Sequence, residues 1–243
     1  GTLVQCLAET LACLCVVNFV RPGVPFDFGM WPFVSDLRTG AFTGGGGEQA
    51  LLMAASAQIA NHLGLPSSVA AGMTDAKTMD AQAGYEKGIA VTAAALAGGN
   101  LVSAYPGIVG SLMGQSFEGL VIDNDMLAGV QRVVRGIEVS DDTLSVDVIA
   151  GTVAGVGHFL GNEQTLELMR SEFVYPAIAD RTVPGAWEEA GSPTVYELAH
   201  ERVKELLGSH YPRYLEPGVD AAIRERFPIR LAPTDMAPGN GRW

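Results

Sequence analysis

Positions 4–19 form an apolar run interrupted at Gln5, Glu9 and Asn18, and the run predicts a buried helix. Pro22-Gly23 breaks it, and residues 24–30 predict a strand and loop. Residues 43–47 predict a glycine-rich turn, after which Glu48 opens a helix to about His62, where an acid complements the helix dipole. Gly64-Leu65-Pro66 ends that helix, and residues 68–72 read as a short, fully buried strand. Asp80 caps the next helix, through Leu96. Gly98-Gly99 closes it, and residues 100–105 are the next strand. Residues 115–136 are helical again, in two pieces, and Ser140-Asp141-Asp142 starts another helix reaching about Val153. Short apolar strands alternating with longer helices are the βαβ signature of a parallel sheet, and so of an α/β protein.

The character changes near Glu163. Leu166, Leu168, Met169 and Phe173 line one helix, and residues 195–207 are amphipathic and charge-laced. The expected divisions are βα units over 1–160, a helical extension over 161–231, and a flexible tail over 232–243 rich in proline and glycine. Three or four strands are visible, whereas a closed (β/α)8 barrel needs eight. Either further strands escape the pattern, or the chain carries the C-terminal part of a longer barrel. The second reading fits an opening at Gly1 directly into helical pattern.

Composition narrows the class. A hydrophobic content of 48% with 17% charged residues indicates an extensive core rather than disorder. A net charge of −12 argues against nucleic-acid binding, which needs a basic face. Cys6, Cys13 and Cys15 share one apolar segment, lack metal-site spacing, and read as buried thiols of a reducing compartment. No basic leader or cleavage signal marks residues 1–20. Residues 89–117 carry no charge, but Gly98-Gly99-Asn100 and Pro106-Gly107 cut them too short to cross a bilayer. The expectation is a cytoplasmic, soluble protein without membrane association.

Chemistry concentrates past the 68–72 strand, where Thr74-Asp75-Ala76-Lys77, Asp80 and Gln82 crowd a polar loop. Active-site groups of α/β enzymes sit at the C-terminal ends of strands. The plain alternative is a solvated Asp75–Lys77 pair beside a capping Asp80. Gly44-Gly45-Gly46-Gly47 lacks the Lys-Ser/Thr ending of a phosphate loop and reads as a flexible connecting turn. His158 is a structural residue, a general base or an imidazole ligand, and no multi-histidine metal site is expected. Phe26, Phe28, Trp31, Tyr85 and Tyr105 fall near strand ends. Taken singly, each reads as core packing. Aromatic faces hold quaternary ammonium ligands through cation–π attraction of about 0.5–2 kcal/mol each, and that reading depends on the resemblance given below.

Several motifs in order resemble the trimethylamine methyltransferase family, corrinoid-dependent enzymes that demethylate methylamines and betaines. They are Ala8-Glu9, Arg21-Pro22-Gly23, Asp36-Leu37-Arg38-Thr39-Gly40, Gly47-Glu48, the 65–87 core, Ser116-Phe117-Glu118, Leu120-Val121-Ile122-Asp123, Gly157-His158-Phe159-Leu160, and Trp187 with Gly191. The resemblance implies a TIM-type (β/α)8 barrel, of which this chain is the C-terminal part. It implies methyl transfer to the Co(I) of a corrinoid (cobalamin) carried by a separate protein, with no cofactor bound directly. Members acting on trimethylamine carry pyrrolysine in the loop that follows the strand. Met73 stands nearest that position here, which points to a quaternary amine such as glycine betaine rather than trimethylamine. Asp75, Lys77 and His158 are then the catalytic candidates. Phe28, Trp31, Asp80, Gln82, Tyr85 and Tyr105 are the substrate-binding ones, in an expected homo-oligomer. Two rivals stand beside this reading: a barrel enzyme using Lys77 as a Schiff base, and a non-catalytic half-barrel whose open sheet edges invite association.

Overall fold

In the computed structural model, which describes residues 1–103, 105–210 and 214–236, the opening apolar run forms one helix, α1 (Thr2–Val20). Leu3, Cys6, Leu7 and Leu11 recur on one face and pack against a small core of Phe28, Met30 and Ala60. The remainder of α1 is open. No residue of it is buried, and Phe19 is 88% exposed. The expected buried helix is therefore helical but uncovered, because hydrophobicity specifies a helix without specifying what covers it. Cys13 and Cys15 are accordingly exposed, and only Cys6 is half-buried, its thiol pushed up by burial.

The chain continues through β1 (Phe28–Gly29), β2 (Val34–Ser35), β3 (Phe42–Thr43), α2 (Gly47–His62), β4 (Ser67–Val69), α3 (Ala81–Leu96) and β5 (Leu101–Val102). A parallel sheet runs in the order β1-β4-β5. Phe28 lies opposite Ser67, and Val69 opposite Val102. Helices α2 and α3 make the two crossovers, so the βαβ alternation read from the sequence is present. The regular strands are shorter than expected, since pairing ends at Val69 while the buried extended chain continues through Ala70 and Ala71.

Two antiparallel hairpins interrupt the connections that leave the strands. Strands β2 and β3 pair Val34 with Thr43, and in their turn Arg38 holds the Asp36 carboxyl down to about 2. After β5, β6 (Ile108–Val109) pairs with β7 (Gly114–Gln115). Helix α4 (Phe117–Arg135) follows as one piece rather than two, its first turn capped by Ser116. The helix expected over 140–153 divides into α5 (Asp141–Leu144) and α6 (Val146–Ala154), because Ser145 turns left-handed at φ 52°. Helix α7 (Glu163–Leu168) is short.

The main core joins Ala50, Met53 and Ala57 of α2, Val69 to Ala71 and Met73 of the strand segment, and Ala90, Val91 and Ala94 of α3. Its many alanines let helix and sheet backbones approach closely.

By compactness the chain divides into Gly1–Asp180 and Arg181–Trp243. The second unit holds α8 (Pro184–Glu189), α9 (Val195–Ser209) and α10 (Pro217–Arg226). In α9, Thr194 and Glu197 form a reciprocal capping box. Of the tail expected over 232–243, Pro233–Met236 forms a 3-10 turn, and residues 237–243 lie outside the described residues.

Candidate active site

The segment 70–77 leaves the C-terminal end of β4 as a buried ribbon that surfaces at Asp75. Thr74 is buried, and its hydroxyl donates to Glu86 Oε2 at 2.6 Å. The same carboxylate oxygen accepts the Asp75 amide at 2.8 Å, while Oε1 accepts the Gln82 side-chain amide at 2.8 Å. Asp75 is then aimed by its own partners. Its Oδ1 accepts the Gly44 amide at 2.7 Å and the Ser111 hydroxyl. Oδ2 receives no hydrogen bond from any described residue. Three separate connections thus meet at one carboxylate: the turn before α2, the loop after β4, and the β6–β7 hairpin. The hairpin is further tied down by Gly110 and Ser111 amides that donate to the carbonyls of Ala76 and Thr74.

The glycine run expected to be a flexible turn is instead close-packed. Gly44 and Gly45 are buried, Gly44 against Met73 and Gly45 against the Glu86 carboxylate. A Cβ on Gly44 would come within 2.8 Å of the Met73 Cβ.

Beneath the loop lies an ion pair. Lys87 is 1% exposed, and its Nζ donates to Asp123 Oδ2 at 2.9 Å, the Gly72 carbonyl at 2.9 Å and the Tyr105 carbonyl at 3.1 Å. Asp123 Oδ2 also accepts the Gly107 amide at 2.7 Å. Every polar proton of the ammonium therefore has an acceptor, as a charge at this depth requires.

The residues singled out from the sequence separate into groups. Asp75, Gln82 and Met73 are part of the assembly, with Met73 fully enclosed. Asp80 does the capping work anticipated as its plain alternative: it accepts the amides of Gln82 and Ala83 at 2.9 and 3.2 Å. The hydrogen bond from the Ala83 amide holds its carboxyl below the ordinary value of 3.8. Lys77 is exposed and donates to the Asp75 carbonyl at 2.6 Å.

Phe28 is not available as a ligand face. It is 1% exposed and meets Phe26 edge to face at 6.5 Å, inside the core beneath α1. Trp31 is partly exposed with its indole N–H on the Ser68 carbonyl at 2.9 Å. Tyr85 is 58% exposed, and Tyr105 is half-buried with its phenol pushed up by burial. His158 is exposed beyond α6 and makes no hydrogen bond with any described residue.

Sequence reasoning gave no site role to Glu86, Lys87, Ser111 and Asp123, although all but Ser111 stand within the quoted motifs. The available signal was a charged Glu-Lys doublet inside an otherwise alanine-rich helix. Among the described residues no three His, Cys, Asp or Glu side chains are placed to hold a metal ion.

A trimethylamine methyltransferase (MTTB) family model matches residues 1–231. The chain is 34% identical over 224 residues to the glycine betaine methyltransferase of Desulfitobacterium hafniense (strain Y51), covering 92% of this chain and 46% of that protein. Against the trimethylamine methyltransferase MttB of Methanosarcina thermophila the identity is 37% over 220 residues, 90% of this chain and 45% of that one. A further relative, MttB2 of Methanosarcina mazei, is 37% identical over 238 residues, 98% and 46% of the two chains. The chain spans slightly less than half the length of these relatives.

Proposed function

The chain belongs to the trimethylamine methyltransferase family, and from that premise we propose that it forms part of an enzyme moving a methyl group from a quaternary amine to the Co(I) of a corrinoid protein. Its βα units are assigned to a TIM-type barrel, and the complete enzyme to the cytoplasm. The observation that carries the substrate reading is Met73. At the position that resembles the pyrrolysine site stands a thioether enclosed in the core, with no electrophile to activate a neutral amine. A quaternary amine needs none. When its methyl carbon passes to Co(I), the C–N bonding pair stays on nitrogen and a neutral tertiary amine departs, while the metal rises to Co(III). The kinship with a protein named glycine betaine methyltransferase points the same way.

The chain's own residues would hold and aim the donor. Asp75 offers an outward carboxylate oxygen for the ammonium charge, held in place by Gly44 and Ser111. Trp31, Tyr85 and Tyr105 are the aromatic surfaces left after Phe28 is assigned to packing. Such positioning is the enzyme's principal contribution when the nucleophile is already strong. The corrinoid arrives as a substrate on its carrier, so this chain needs no ligand set for cobalt.

The test follows the Co(I) corrinoid absorbance with the complete polypeptide and glycine betaine, carnitine, proline betaine or trimethylamine. Loss of the Co(I) band with a quaternary amine alone is the expected result. Reaction with trimethylamine alone, or with none of the four, overturns the proposal.

A further inference from the structure

We infer that Glu86 and Lys87, the latter paired with Asp123, are positioning residues that fix the backbone on both sides of Met73 for the transfer step. The inference rests on the function proposed above. Lys87 holds the Gly72 carbonyl before Met73, and Glu86 holds the Thr74 hydroxyl and Asp75 amide after it. Two consecutive side chains of α3 therefore clamp segment 72–75 from within.

Backbone geometry adds an independent observation. Each backbone group that the Lys87–Asp123 pair binds beyond the pair itself belongs to a residue with positive φ: Gly72 at 89°, Tyr105 at 40° and Gly107 at 74°. For tyrosine this conformation is costly, and it persists where surrounding contacts over-determine it. The pair thus pins the turned chain at the exits of both β4 and β5. Core stability alone does not call for such a device, since apolar residues of similar volume serve a core as well as a buried ion pair. An apolar side chain cannot hold two carbonyls in place. Misplacement of a reacting geometry by about 1 Å can cost about 100-fold in rate.

The test compares the complete polypeptide with its Glu86→Gln and Lys87→Met/Asp123→Ala variants by hydrogen exchange, Co(I) methylation and thermal unfolding. Glu86→Gln preserves side-chain shape and guards against a double variant that fails to fold. The expected result is amide exchange about tenfold faster over 72–77 with exchange in α3 unchanged. With it, kcat falls about tenfold or more, while the KM for the amine moves less than about threefold. Folded variants with parental exchange and parental kcat overturn the inference and leave the proposed function standing. Faster exchange in the variants of a parent that methylates no corrinoid overturns the proposed function and leaves the backbone clamp standing.

Discussion

Gly45 lies against the Glu86 carboxylate so closely that a Cβ added there would overlap Oε2 and come 2.9 Å from the Asp75 amide nitrogen. The glycine is where the turn before α2 and the loop after β4 touch, and Glu86 is the buried group they share. Gly45→Ala must expel the carboxylate or shift the turn, and overpacking of this kind costs about 1–3 kcal/mol. Chemical denaturation should show that loss. Gly47→Ala, with no atom within 4 Å of an added Cβ, should leave stability within about 0.5 kcal/mol of the parent. Equal effects at both glycines would remove the close-approach argument.

The Lys87–Asp123 pair should behave as a unit. Lys87→Met leaves a buried carboxylate without its counter-charge, and removing one partner of such a pair costs about 3–5 kcal/mol. The Lys87→Met/Asp123→Ala double variant should lose less than the sum of the single losses, by about 1–3 kcal/mol. A double-mutant cycle by urea unfolding measures this coupling, and additivity within error would show that the ammonium and carboxylate do not depend on each other.

Met73 is a packing residue in this arrangement, and its size matters more than its sulfur. Met73→Leu conserves volume and should cost less than about 1.5 kcal/mol, with amine-dependent methylation within about threefold of the parent. Met73→Ala opens a cavity and should cost about 2–5 kcal/mol. If Met73→Leu folds normally yet abolishes turnover, the thioether has a chemical role and the packing assignment is wrong.

Local signals were legible in the sequence, and distant ones were not. Asp80 before a helix-forming run announced α3, and Gly98-Gly99 its end, because caps and stops are contacts within a few residues. The 68–77 segment was recognisable as a strand ending in a polar loop. Glu86 and Lys87 were not separable from it, since a charged doublet on a helix ordinarily faces water. Their partners Thr74, Tyr105 and Asp123 lie 12, 18 and 36 residues away. For the same reason Gly44 and Gly45 read as a flexible turn, although Asp75, Met73 and Glu86 make the space there too small for any other residue. Phe28 read as a possible ligand face because an aromatic at a strand end is ambiguous until one knows which way the strand turns its side chains.

Asp80 also makes a prediction about pH. Its folded carboxyl is held below the ordinary 3.8, first by the Ala83 amide. The stabilisation it brings to the first turn of α3 is therefore fully present above that ordinary value. It is lost as pH falls through the lowered folded value. Thermal unfolding measured from pH 6 downward should show a smaller acid-induced drop in Asp80→Asn than in the parent, because asparagine caps without titrating. An unchanged pH profile in this variant would mean that other carboxylates account for the acid sensitivity of the fold.

Helix α1 carries several large apolar side chains in the open. Phe19, Val20, Val4 and Val16 are 88, 82, 73 and 61% exposed along a helix whose opposite side packs on Phe28 and Met30. By length and composition it could cross a membrane. The family match includes the whole helix. Contiguous apolar surface of this kind drives association. The 243-residue chain produced alone should bind the dye ANS and self-associate in a concentration-dependent way. Val16→Glu/Phe19→Lys should reduce both and leave the helical circular dichroism unchanged, since neither residue belongs to the face that meets the core. A double variant that stays equally associated would move the sticky surface elsewhere, to the open edges of the β1-β4-β5 sheet. Partition of the parent chain into lipid vesicles, abolished by the same substitutions, would instead favour a bilayer as the solvent that α1 meets.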